Sequence, residues 1–134
     1  MADALGYIGV ARMAGGIETG EENARALVRS GKAKLLIVAA DASPGAKRRA
    51  EGYVFETNTP MVETPYQKSQ ISAISGRPGC SMAAFTNLGL AAGFAAALFA
   101  EYGAQYREIA ESLGAKQARA RRRAKKSGKR RKNA

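Results

Sequence analysis

The side chains best suited to chemistry in this chain are hydrogen-bonding and cationic groups, with no obvious nucleophile among them. Gly20-Glu21-Glu22-Asn23-Ala24-Arg25 places two carboxylates, an amide and a guanidinium at the start of an expected helix. Asn and Glu can hydrogen-bond the base edges that folded RNA exposes, and Arg neutralises phosphate. Lys32, Lys34, Lys47 and the turn Gly76-Arg77-Pro78-Gly79 add further candidates of the same kind. The acids nearest to a cluster are Glu18, Glu21, Glu22 and Asp41, but Glu21 and Glu22 are better explained by the helix dipole than by an active site. The chain has no histidine, which excludes a histidine triad or a histidine-containing metal site. Its single cysteine, Cys80, excludes an internal disulfide and suits a reducing compartment. Neither a phosphate loop ending in Lys-Ser/Thr nor a dinucleotide-binding glycine pattern occurs. The expectation is a non-catalytic protein with no cofactor, no metal and no small-molecule substrate.

Charge is distributed very unevenly. Residues 1–114 carry eleven Lys/Arg and eleven Asp/Glu, whereas residues 115–134 carry eleven Lys/Arg and no acid. The whole excess of +11 therefore lies in the last twenty residues. A neutral domain followed by a polycation points to a polyanionic partner, nucleic acid before membrane. Arg121, Arg122 and Arg123 head the phosphate-binding candidates there. No side chain beyond Leu113 is more apolar than alanine, so an unstructured extension is expected. Pro78 to Ala100 is uncharged, but its strongly apolar part, Leu88–Ala100, is only 13 residues. That is too short for a hydrocarbon core of ~30 Å, so no membrane span is expected. The N-terminus lacks the cationic start of a signal peptide, and a cytoplasmic monomer is the expectation.

Several elements must position these groups. Residues 4–14 read as a helix closed by Gly15-Gly16, and Ile17-Glu18 as a very short strand. Thr19 and Glu22 have the spacing of a capping box for a helix over 20–30, whose apolar stripe is Ala24, Leu27 and Val28. Leu35–Ala39 is a buried central strand. Ser43-Pro44 then opens a helix carrying Lys47, Arg48 and Arg49. Met61-Val62 and Cys80–Phe85 read as strands, Lys68–Ile74 as a helix, and Asn87 as the cap of a helix to Ala100. Tyr102, Tyr106, Ile109 and Leu113 mark one more amphipathic helix, which Gly114 closes. Met13, Met61, Met82 and the phenylalanines read as core. Helices alternating with short strands predict an α/β domain over 1–114, a three-layer α-β-α sandwich around a small mixed sheet. In such a fold the segments Gly20–Arg25, Asp41–Pro44 and Ser75–Gly79 leave one sheet edge together.

These segments also carry a resemblance. Leu-Gly-x-Ile-Gly-x-Ala-Arg near the start, Thr19-Gly-Glu-Glu-Asn23, and Arg29-Ser-Gly-Lys-Ala-Lys-Leu-Leu-Ile-Val-Ala-Ala-Asp-Ala-Ser43 resemble the kink-turn-binding ribosomal protein family. That family includes the archaeal large-subunit protein "seven Ae", the eukaryotic "thirty e" and short bacterial members, which this chain resembles most. The likeness runs on through Gly76-Arg77-Pro78 to Asn87-Leu-Gly-Leu. It implies a ribosomal or ribosome-associated domain that docks on a sharp bend in RNA. In the family a Gly-x-Asn-Glu-x-x-Lys segment meets sheared G·A pairs and phosphates. Gly20 matches its glycine, Glu22 stands at the Asn, Asn23 at the Glu, and Ala26 at the Lys with Arg25 beside it. The loop that holds a flipped-out nucleotide corresponds to Ser75–Cys80, by way of Arg77 and Pro78. The competing reading is a protein-interaction module whose basic extension alone touches RNA.

Overall fold

A computed structural model describes residues 3–132, with side-chain surroundings as far as Lys126. Its sheet holds β1 (Ile17–Thr19), β2 (Leu35–Val38), β3 (Met61–Glu63) and β4 (Met82–Phe85) in the order β1-β4-β2-β3. The two central strands, β2 and β4, are buried at every position, because both faces of the sheet are covered. β4 runs antiparallel to β1 and β2, and β2 runs parallel to β3, so the sheet is mixed. On one face lie α2 (Glu21–Arg29) and α3 (Pro44–Thr57). On the other lie α1 (Ala4–Met13), α4 (Lys68–Ser75) and α5 (Leu88–Tyr102), with α6 (Arg107–Lys132) packed on α5. The architecture is the expected three-layer α-β-α sandwich. No helix among the described residues is long and apolar enough to cross a membrane.

Most elements start where local chemistry dictates. The Ser43 hydroxyl accepts from Ala46 N at 3.1 Å with Pro44 opening α3, and Asn87 Oδ1 accepts from Leu90 N at 2.9 Å at the head of α5. The expected capping box at Thr19 and Glu22 does not form. Thr19 is buried at the end of β1 opposite Ala83, where a β-branched side chain fits a pleated surface. Gly20 becomes the N-cap of α2 instead, with φ +101° and ψ 147°. That backbone region is close to glycine-only. Gly20→Ala is therefore expected to cost about 1–3 kcal/mol of stability, read from urea denaturation, although a Cβ there would meet open space. An unchanged midpoint would contradict the strain argument.

The C-terminal half departs from expectation in three ways. The helix marked by Tyr102 to Leu113 is broken at Gly103, whose φ is +94°, by a 3-10 turn over Ala104–Tyr106. Tyr102 thus ends α5, while Tyr106 and Leu113 are buried against it. Gly114 does not close α6, which continues as helix to Lys132 where an unstructured extension is expected. The reason is that Ala, Arg, Lys and Gln all favour helix, and the packed turns up to Leu113 have already met the cost of nucleation. Leu113 is still the last fully buried side chain described, so the core does end where the composition changes. Met13 and Phe55, both expected in the core, are instead 88% and 85% exposed.

Candidate nucleic-acid interface

The sheet register decides which loops are neighbours. Thr19 faces Ala83, Val38 faces Met82, and Glu63 pairs beside Val38, so three strand C-termini and the start of β4 share one end of the sheet. Backbone hydrogen bonds tie the loops of this rim together. Gly20 N donates to Met82 O at 2.9 Å, Ala39 N to Ser81 O at 2.9 Å, and Ala40 N to Tyr66 O at 2.8 Å. The segments Gly20–Arg25, Asp41–Pro44 and Ser75–Gly79 are therefore brought to the same edge.

Two acids of the rim, Glu21 and Asp41, are engaged. Glu21 receives Arg49 Nε at 2.6 Å, Arg49 Nη2 at 2.9 Å and the Tyr53 hydroxyl at 2.7 Å. The Arg49 hydrogen bonds dominate and hold the Glu21 carboxyl at about 2, below its ordinary 4.5. In return the Glu21 carboxylate raises the pKa of both Arg49 and Tyr53. Asp41 Oδ1 accepts from Lys68 N at 2.7 Å and so caps the start of α4. A lowered folded-state pKa means the Glu21 contribution is complete above the ordinary value and is lost as pH falls from about 4.5 towards 2. Glu21→Gln should consequently destabilise the protein at pH 7, with the gap from the wild type closing across that acid window. Urea midpoints at pH 7, 4 and 2.5 read this directly; a gap independent of pH would show that the ion pair does not act.

The groups left to face a ligand are Glu22, Asn23 and Arg25 on α2 and Arg77 with Pro78 on the loop, all exposed. Asn23 Nδ2 donates to Thr19 O at 3.1 Å, which orients its amide and turns Oδ1 into the available acceptor. The Arg77 loop is braced from below: Cys80 Sγ lies 3.2 Å from Arg77 O, and Cys80 N donates to the Ser72 hydroxyl at 3.3 Å. Between α3, α4 and this loop lies a cleft of about 820 Å³ whose walls carry Arg49, Lys68, Ser69 and Arg77. Lys47 reaches the rim but is committed to Glu63 at 2.7 Å and Ala40 O at 3.2 Å.

One expectation fails at this point. Lys32 and Lys34 do not join the rim. Lys34 N donates to Phe85 O at 2.6 Å, and Phe85 is the last residue of β4, so both lysines sit at the far pole of the sheet. Arg121–Arg123 follow on α6, five to seven residues past Lys116. The Tyr106 hydroxyl donates to Glu63 O at the rim end at 3.3 Å, while Lys116 lines a cleft with Lys34 and Leu88. The helix α6 thus travels from the rim to the far pole before its cationic part begins. Sequence reasoning also missed Arg12, whose guanidinium lies against Gly76 at the foot of the Arg77 loop, and the Arg49–Glu21–Tyr53 link. Nothing in local sequence pairs residues this far apart.

This arrangement can be set beside known proteins. The model of the Ribosomal protein L7Ae/L30e/S12e/Gadd45 family matches residues 2–92. The chain belongs to that family. The RNA-binding protein YlxQ of Enterococcus faecium is 35% identical over 75 residues, 56% of this chain and 72% of that protein. Two solved structures share the fold seen here. A Bacillus halodurans protein of unknown function has a TM-score of 0.67 at 21% identity, covering 73% of this chain and 98% of its own. The Giardia lamblia 15.5kD RNA binding protein has a TM-score of 0.60 at 20% identity, covering 81% and 85%. The family match ends at residue 92, before α6 and its cationic half.

Proposed function

We propose that this chain is a non-catalytic RNA-binding protein that docks its loop rim on a kink-turn-like bend. The observation that carries the reading is the convergence of Glu22, Asn23, Arg25 and Arg77 at one sheet end, on loops cross-tied by backbone hydrogen bonds. Base edges at a bend are within reach of an amide and a carboxylate, and the two arginines neutralise the crowded phosphates. Membership of the family and the RNA-binding relative from Enterococcus faecium support this partner. Arg77 and Pro78 overhang the cleft, which is of a size and polarity to receive an unstacked nucleotide. The rim acids Glu21 and Asp41 serve as structural braces, which argues against an acid–base centre there. The protein acts as a monomer, as a constituent of the ribosome or a factor associated with it, in the cytoplasm.

The test is a titration of the full chain against a kink-turn RNA and a straight duplex of equal length at fixed salt. At least tenfold tighter binding to the bent RNA is expected. Equal affinity for the two would remove the rim-docking reading.

A further inference from the structure

The far pole carries a second concentration of charge that the rim cannot use. Lys32 and Lys34 are exposed in the turn before β2, and Lys34 shares a cleft with Lys116 of α6. From Lys116 onward the steps to Arg119, Arg123 and Lys126 are three, four and three residues, so these cations continue one helix face. Arg119, Arg123 and Lys126 are exposed. Beyond the packed turn at Gln117, α6 runs on to Lys132, a rise of about 22 Å at 1.5 Å per residue. The acids on the elements meeting at this pole, Glu56 near the end of α3 and Glu108 and Glu111 early in α6, all stop short of the extension.

We infer that this pole is a second nucleic-acid-binding surface, which holds the phosphate backbone of a separate duplex segment without regard to sequence, so that the protein bridges two RNA elements. Three arguments favour a polyanion of this kind. Arg119 and Arg123, and Arg122 and Lys126, are like charges four residues apart, which destabilise a helix until counter-charge is supplied. The cationic face is a straight row, which matches a line of phosphates and not a single anion. Beyond Leu113 no side chain is more apolar than alanine, so the helix has nothing to bury in a lipid interface. The rim and the far pole are opposite ends of the same strands, so the cations of the pole are not part of the rim surface.

The second surface is testable apart from the rim. The full chain is compared with a variant carrying Lys34→Gln, Lys116→Gln, Arg119→Gln and Arg123→Gln, and circular dichroism melts confirm that the variant folds. Straight duplex RNA should bind the variant at least tenfold more weakly, with the slope of log affinity against log salt reduced by roughly 3. The preference of the variant for kink-turn RNA over straight duplex should survive. With one equivalent of each labelled RNA, the wild type should bring the two close enough for energy transfer and the variant should not. Unchanged duplex affinity in the variant overturns the inference. So does displacement of duplex from the wild type by one equivalent of kink-turn RNA, or binding to phosphatidylserine vesicles in place of duplex. If the wild type shows no preference for bent RNA, the rim reading falls, while the duplex arm still decides the far pole.

Discussion

Replacing Glu22 and Asn23 together by alanine is expected to abolish the preference for bent over straight RNA, a loss of about 100-fold in relative affinity. The estimate follows from two direct hydrogen-bonding groups at roughly 1–1.5 kcal/mol each, with 1.4 kcal/mol per factor of ten. Both side chains are exposed at the start of α2, so stability should change little. Asn23 does give up one bond, from its Nδ2 to Thr19 O, and urea denaturation will register that separately. Salt-sensitive binding to straight duplex should persist in the double variant, because the cations at the far pole are untouched. Competition titrations at two salt concentrations check both halves of the result. A double variant that keeps its preference would place the reading head elsewhere on the molecule.

The largest expected effect on stability is at Phe85. Its side chain is fully buried at the end of β4, with its ring 5.1 Å from that of Phe94 on α5. It lies opposite Ile17 of β1 and Leu35 of β2, so it joins the sheet to the helical layer. Phe85→Ala removes a buried ring and leaves a cavity, at a cost of about 3–5 kcal/mol. The melting temperature should fall by about 10 °C or more. Phe55→Ala is the matched control, since Phe55 is 85% exposed and its loss should move the melt very little. Comparable losses from the two variants would mean that the assignment of core and surface is wrong.

Those two phenylalanines show where sequence reasoning stops. Both look like core from composition, and only the packing of α3 on the sheet separates them. Reading was more reliable where the signal is local. Ser43-Pro44 and Asn87 each satisfy a backbone N–H three residues on, and both helices begin where those residues stand. Thr19 misled because two local preferences competed there, and pairing with Ala83 in the sheet won over capping. The three rim loops were legible because alternating helices and strands leave few topologies for a small sheet. The brace of Glu21 by Arg49 was not, since it joins residues on two helices through tertiary contact alone.

The order of residue types along the chain determined the sandwich, most element boundaries, the family likeness and the split between a charge-balanced body and a cationic end. Periodicity and capping act over a few residues, and net charge needs no geometry at all. Only the folded structure decided which charges stand together. It committed Lys47 to Glu63, set Lys32 and Lys34 at the far pole, and carried α6 the length of the sheet before its uninterrupted cationic run begins. The physical reason is that strand register and helix direction determine which end of the molecule a side chain occupies, and both arise from packing between segments distant in sequence.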